Sequence, residues 1–147
     1  MLTKSPTIPV LAEHLRVALA RTARRLRQEA GADLGPALTA ALGTVERHGP
    51  LTPSELAARE RIQRPTATRL VARLDELGLI ASTPAPGDAR SRLLSVTSDG
   101  RALLADMRTR KDAFLARRLR ELPAEDRATL ARAADLLDAL LQDGERS

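Results

Sequence analysis

The sequence predicts a mostly α-helical protein carrying one small β-hairpin, and three observations lead there. Apolar residues recur at helical spacing through most of the 147 residues, with Gly and Pro at the interruptions. Aromatic residues are nearly absent (one Phe, no Tyr, no Trp), so the core must be built from Leu, Ala, Val and Ile, which suits helices better than a β-sandwich. One stretch, residues 79–96, breaks the helical period with two short β-prone runs around a segment rich in Pro and Gly.

Residues 8–30 set Val10, Leu11, Leu15, Leu19 and Leu26 against an Arg-rich side of Arg16, Arg21, Arg24, Arg25 and Arg27, the pattern of a long amphipathic helix. Gly31, Asp33, Gly35 and Pro36 interrupt it. A second helix over about 36–47 stops at His48-Gly49-Pro50, Gly followed by Pro being an end signal. Thr52 then supplies a cap, Pro53 sits where a missing amide costs nothing, and Glu55 follows the cap by three residues. The result is a short helix over roughly 53–59. After a tight connection Pro65 opens a helix over 64–77 that ends at Gly78.

Leu79-Ile80-Ala81-Ser82-Thr83 and Leu93-Leu94-Ser95-Val96 are the strand candidates, and Pro84 to Arg92 form an extended hairpin tip. Thr97-Ser98-Asp99-Gly100 caps the next helix, whose apolar side carries Leu103, Leu104, Met107, Phe114, Leu115 and Leu119 up to about residue 120. Leu122-Pro123-Ala124-Glu125-Asp126 restarts a final helix through Leu141, with acids in its first turn as the helix dipole prefers.

Short helix, tight turn, second helix and hairpin form the layout of a winged helix-turn-helix. At 100° per residue, Ala67, Leu70, Val71, Leu74 and Leu77 fall on one side of the 64–77 helix and pack on the preceding helices. Pro65, Thr68, Arg69, Ala72 and Arg73 fall on the other. A face holding a hydroxyl, two Arg and small spacers approaches base edges closely, whereas an ordinary solvated face more often shows Glu and Lys. Arg64 and Thr66 point towards the groove floor, because recognition helices enter by their N-terminal end. Asp75 and Glu76 sit at the far end, away from phosphate. On the hairpin tip Arg90 and Arg92 reach a minor groove or flanking phosphates. Asp88 supports this wing by an ion pair to an Arg or serves as a plain turn residue.

Charge agrees without deciding. Lys plus Arg number 24 against 19 Asp plus Glu, a net +5, and all the cations but Lys4 and Lys111 are Arg, whose planar fork suits phosphates and guanine edges. A GC-rich genome also produces high Arg and Ala. The lack of aromatic stacking platforms favours duplex over single-stranded nucleic acid. The absence of Cys excludes disulfides and thiolate metal sites. No run approaches the roughly 20 apolar residues of a membrane span, and MLTKSPTIPV lacks the apolar core of a signal peptide, so a cytoplasmic protein with no membrane partner is expected.

No catalytic constellation, metal site or cofactor is expected. His14 lies within the first helix, His48 at a helix end favoured by the dipole, and there is neither a glycine-rich phosphate loop nor a nucleophile elbow. Two functional classes remain: a sequence-specific reader of double-stranded DNA, and a winged-helix module for protein contact or sequence-neutral DNA binding. The outward Arg pair and the wing Arg weigh against a pure protein adaptor, and packaging proteins carry denser positive charge than +5.

The stretch Leu51 to Leu104 resembles the multiple-antibiotic-resistance-regulator (MarR) family of bacterial repressors. The matching parts are Pro65-Thr66-Ala67-Thr68-Arg69-Leu70-Val71, the exit from Leu74 to Gly78-Leu79-Ile80, the wing Asp88-Ala89-Arg90-Ser91, and Thr97 with Gly100. In that order and spacing they are strong. The resemblance implies a homodimer in which residues 8–30 and 100–142 of each subunit pack together. Residues 1–35 and 100–147 then form a helical dimerisation region, and 36–99 a DNA-binding lobe. It further implies a palindromic DNA site, with Thr68 and Arg69 taking base and phosphate contacts and Arg90 in the minor groove. A possible small-molecule effector bound between the dimer helices and the lobe lowers DNA affinity by respacing the two reading heads. Two residues depart from the pattern: Gln63 stands where many members have a capping Ser, and Glu60-Arg61 replaces the commoner apolar-Gly turn. Without Cys the peroxide-sensing thiol mechanism of one branch is ruled out, and the lack of aromatics weighs against a phenolic-ligand pocket.

Overall fold

The computed structural model describes residues 4–31 and 34–142. Asp33, expected among the residues that interrupt the first helix, and the ends of the expected dimerisation region, 1–3 and 143–147, lie outside the described residues. The elements run α1 (Ile8–Glu29), α2 (Pro36–His48), α3 (Pro53–Glu60), α4 (Arg64–Glu76), β1 (Ile80–Ala85), β2 (Asp88–Val96), α5 (Ser98–Arg120) and α6 (Ala124–Gln142). Two compact units divide the chain, Met1–Lys111 and Asp112–Ser147, with the boundary inside α5.

In the first unit, the core gathers Ala41, Leu42 and Val45 of α2, Leu56 of α3, Leu74 of α4, and Leu79, Ile80 and Leu94 of the hairpin, joined by Leu51 and Leu104. Apolar spacing explains the choice. Leu42 and Val45 lie three apart on one helical face, and Ile80 and Leu94 are inward positions of paired strands. Thr44 is buried among them and donates to the Glu60 carboxylate, tying the middle of α2 to the end of α3.

Both helices of the central pair end in the same way. At the end of α4, Gly78 takes a left-handed conformation (φ 74°), its N–H reaches the Asp75 carbonyl at 2.9 Å, and the Leu79 N–H reaches the Leu74 carbonyl at 3.0 Å. This is a Schellman cap. At the end of α3, Ile62 N–H bonds the Ala57 carbonyl at 3.0 Å and Arg61 N–H the Ala58 carbonyl at 3.3 Å, with Arg61 at φ 54°, ψ 45°. Here a residue with a Cβ occupies the position that favours glycine. The replacement of the commoner Gly by Arg61 therefore leaves the turn's path intact, at a cost in backbone strain.

The hairpin differs from the expected one. Its strands extend through Pro84 and from Asp88, and only Pro86-Gly87 turn between them. The register pairs Ile80 with Val96, Ser82 with Leu94 and Pro84 with Arg92, then slips so that Ala85 meets Asp88. Ala89, Arg90 and Ser91 are left without cross-strand partners in a bulge. Leu51 adds a bridge on the hairpin's other edge, exchanging hydrogen bonds with Leu94 at 3.1 and 2.7 Å.

In the second unit, the end of α5 carries Phe114, with the Arg118 guanidinium 5.3 Å from its ring centre, and a turn at Glu121-Leu122 leads to Pro123 and α6. Neither α1 nor α6 buries a single residue in the lone chain.

Candidate nucleic-acid interface

The interface is built on α4. Thr52 caps α3, its Oγ1 accepting the Glu55 N–H at 3.2 Å, and α3 in turn supports α4 across the Arg61 turn. Gln63 caps α4 through its backbone only, so the missing Ser removes a side-chain hydrogen bond and not the helix start. Ala67 and Leu74 are buried and Leu70 and Val71 half-buried, as the face count requires. Leu77 is the exception: it lies past the last turn and is 41% exposed.

On the outward side Pro65, Thr68, Arg69, Ala72 and Arg73 are all exposed. Thr68 Oγ1 donates back to the Arg64 carbonyl at 3.0 Å, and Arg69 reaches Thr66 Oγ1 at 3.4 Å. Half-buried Thr66 thus braces Arg69 from within the helix's first turn. Arg73 pairs with Glu76 at 3.1 Å, a surface ion pair that phosphate can replace. The guanidinium groups stand over a helix face with small neighbours, the arrangement that lets a planar fork meet a base edge.

Arg64 takes a different path from the groove-floor direction expected of it: its side chain donates to Ser54 Oγ on α3. The wing residues are arranged as follows. Among the described residues Asp88 makes no ion pair to an Arg; its Oδ1 accepts the Arg90 backbone N–H at 3.0 Å and so shapes the bulge as an Asx turn. Arg90 is exposed at the centre of that bulge. Arg92 lies across the hairpin, bonding Ser82 Oγ at 3.0 Å and the Ser82 carbonyl at 3.1 Å. Sequence reasoning read Thr52 and Ser54 only as helix-start residues; their second role, facing the wing, depends on a contact between segments that no local pattern encodes.

His14 and His48 are exposed, and no group of three metal-binding side chains occurs among the described residues. No helix among the described residues is long and apolar enough to cross a membrane.

A helix pair capped in this way, with an outward Arg/Thr face and a basic wing, defines a winged helix-turn-helix DNA-binding protein. Residues 32–91 match the family model described as the MarR family. The chain is 36% identical over 134 residues to an uncharacterised HTH-type transcriptional regulator of Mycobacterium bovis, covering 90% of this chain and 94% of that one. It is 31% identical over 110 residues to the HTH-type transcriptional repressor MdtR of Bacillus subtilis, covering 75% of this chain and 69% of the relative. A crystal structure of a putative transcriptional regulator from Pseudomonas aeruginosa superposes with a TM-score of 0.83 at 37% identity, covering 93% and 99% of the two chains. The protein belongs to the MarR family of transcription regulators; it is a DNA-binding regulator and not an enzyme.

Proposed function

We propose that the protein is a homodimeric repressor that reads a palindromic site with α4 and releases it when a small molecule binds. The observation that carries this reading is the outward face of α4, where Thr68, Arg69 and Arg73 stand exposed on a helix packed by its opposite side. The repressor role follows the Bacillus subtilis relative, which bears that name.

Dimerisation is supported by apolar surface that the lone chain leaves open. On α1, Ile8 is 79% and Val10 56% exposed, with Leu11, Leu15 and Leu19 also uncovered; on α6, Leu130, Leu136, Leu140 and Leu141 are exposed. Uncovered apolar residues at helical spacing on two helices are surplus to a monomer and fit burial against a second copy. In this reading residues 1–35 and 100–147 form the dimerisation region, and 36–99 the DNA-binding lobe. The protein acts in the cytoplasm, where bacterial DNA lies.

Release by an effector is supported by a cavity of about 470 Å³ among α1, α2 and α5 in the first unit, lined by Leu26, Pro36 and Met107 with Arg27 and Lys111 beside them. An apolar body with an anionic head fits such a lining, and no aromatic residue is there to stack on a phenol.

Selection of bound duplexes from a random-sequence pool tests the reading. Recovery of one palindromic sequence, bound far more tightly than random DNA, is expected. Recovery of no preferred sequence makes the protein a sequence-neutral binder or a protein-contact module and overturns the proposal. Sedimentation of the free protein as a monomer overturns the dimer.

A further inference from the structure

Arg64 is out of line with its neighbours on α4. It is drawn to Ser54, ten residues earlier, and with Thr52 and Ser54 of the α3 start and Arg90 and Arg92 of the wing it lines one cleft of about 220 Å³. Three arginines therefore line a cleft whose lining holds a single carboxylate, Asp88, whose Oδ1 is already engaged by the Arg90 N–H. Like charges drawn together around a small opening repel one another unless an anion comes between them.

The hydrogen-bonding capacity of the cleft points the same way. Arg92 spends its Nε and Nη2 hydrogens on Ser82, which leaves the Nη1 pair. Arg64 spends one Nη1 hydrogen on Ser54. Thr52 and Ser54 use their hydroxyl oxygens as acceptors, which leaves both hydroxyl hydrogens to donate outward. The cleft is thus rich in donors and poor in acceptors. A phosphodiester, with two anionic oxygens and no donor, is the complement.

We infer that this cleft is the seat of one DNA backbone phosphate, and that Arg64 is a phosphate-clamping residue and not a reader of bases. The inference rests on the reading that α4 lies in the major groove. A helix entering by its N-terminal end brings the bordering strand beside its first turn, and here that turn faces the wing across the cleft. Bound there, the phosphate links α3, α4 and the wing at once, so that the register of α4 in the groove is held by a contact carrying no sequence information.

The test uses the full-length protein and a duplex selected from a random pool, with single neutral methylphosphonates placed along each strand. In the wild type, neutralising one particular phosphate beside the site should weaken binding about tenfold. In Arg64→Ala the same substitution should cost clearly less than in the wild type, because only the remaining donors of the cleft still hold that phosphate. The slope of log affinity against log salt should fall by about one per clamped phosphate, and reselected sequences should be unchanged. Ser54→Ala, which frees Arg64 without removing its charge, should lose part of the same phosphate's effect. Additive losses from Arg64→Ala and every methylphosphonate, or a changed base preference in Arg64→Ala, overturn the seat. Failure of the wild type to bind any duplex overturns instead the reading beneath it, and the two failures are read from different proteins.

Discussion

Thr97 Oγ1 donates to the Gly78 carbonyl at 2.7 Å, and the same oxygen accepts the Gly100 N–H at 3.1 Å. One hydroxyl thus caps α5 and fastens its start to the end of α4, across the root of the wing. The Thr97 N–H adds a bond to the Leu79 carbonyl at 3.0 Å.

Thr97→Ala should remove the cap and the crosslink together and cost about 1–2 kcal/mol, as lost caps do. Thr97→Ser keeps the oxygen and should recover most of it. Urea unfolding midpoints of the two variants measure the difference; equal losses would show that the methyl and not the hydroxyl matters.

Gly100 makes the neighbouring contact. A Cβ built there lies 2.3 Å from the Leu79 carbonyl oxygen and 2.8 Å from Val96 Cγ2. The obstacle is backbone, which cannot rotate away, so Gly100→Ala should destabilise by about 1–3 kcal/mol despite alanine's better helix propensity. A neutral or stabilising effect in the same unfolding experiment would mean that α5 moves off the wing at no cost.

Arg61 offers the opposite sign. Its left-handed conformation costs a residue bearing a Cβ about 1–2 kcal/mol, and glycine returns part of that as greater freedom of the unfolded chain. Arg61→Gly should therefore raise stability by about 0.5–1 kcal/mol, seen as a higher thermal midpoint. A lower midpoint would mean that the Arg61 side chain contributes more to the fold than its backbone costs.

These three positions show how much of the structure was legible beforehand. Thr97 and Thr52 act as caps because a hydroxyl a few residues before an apolar run is a local signal, and the helix ends at Gly49 and Gly78 are equally local. The face of α4 was legible because burial follows helical period. The long strands of the wing were not, since Pro84 reads as a break while in fact it occupies an edge position paired with Arg92. Leu51, a single residue bridging to Leu94, carries no pattern at all. Within the interface, periodicity gives the direction of a Cβ and not of a long side chain. Arg64 and Arg92, each bonded to a residue ten positions earlier, went where tertiary contacts took them.

Arg69 and Arg90 should separate base reading from positioning. Arg69 stands over the outward face of α4, so Arg69→Ala should cost about 1–3 kcal/mol of specific binding and relax preference at one base pair of each half-site. Arg90 projects from a bulge whose shape Asp88 holds, and Arg90→Ala should weaken binding to selected and random duplexes alike. Competition binding against single-base variants of the selected duplex distinguishes them. Unchanged affinity in Arg69→Ala removes that residue from the site, and a shifted base preference at the centre of the site in Arg90→Ala contradicts a positioning role.

Glu76 sets the last expectation, because its carboxylate occupies Arg73 on the face proposed to meet DNA. The pair is open to solvent, with half or more of each side chain exposed, so it adds little to stability. Its effect on binding is larger in principle, since one anion both neutralises a cation and repels phosphate. Glu76→Gln should leave the unfolding free energy within about 0.5 kcal/mol. It should tighten binding to any duplex several-fold and steepen the salt slope by up to about one. The gain should shrink at high salt, where phosphate attraction is screened. Equal affinities of wild type and variant at low salt would place both Arg73 and Glu76 beyond the reach of the backbone, and would move the contact surface of α4 towards its first two turns.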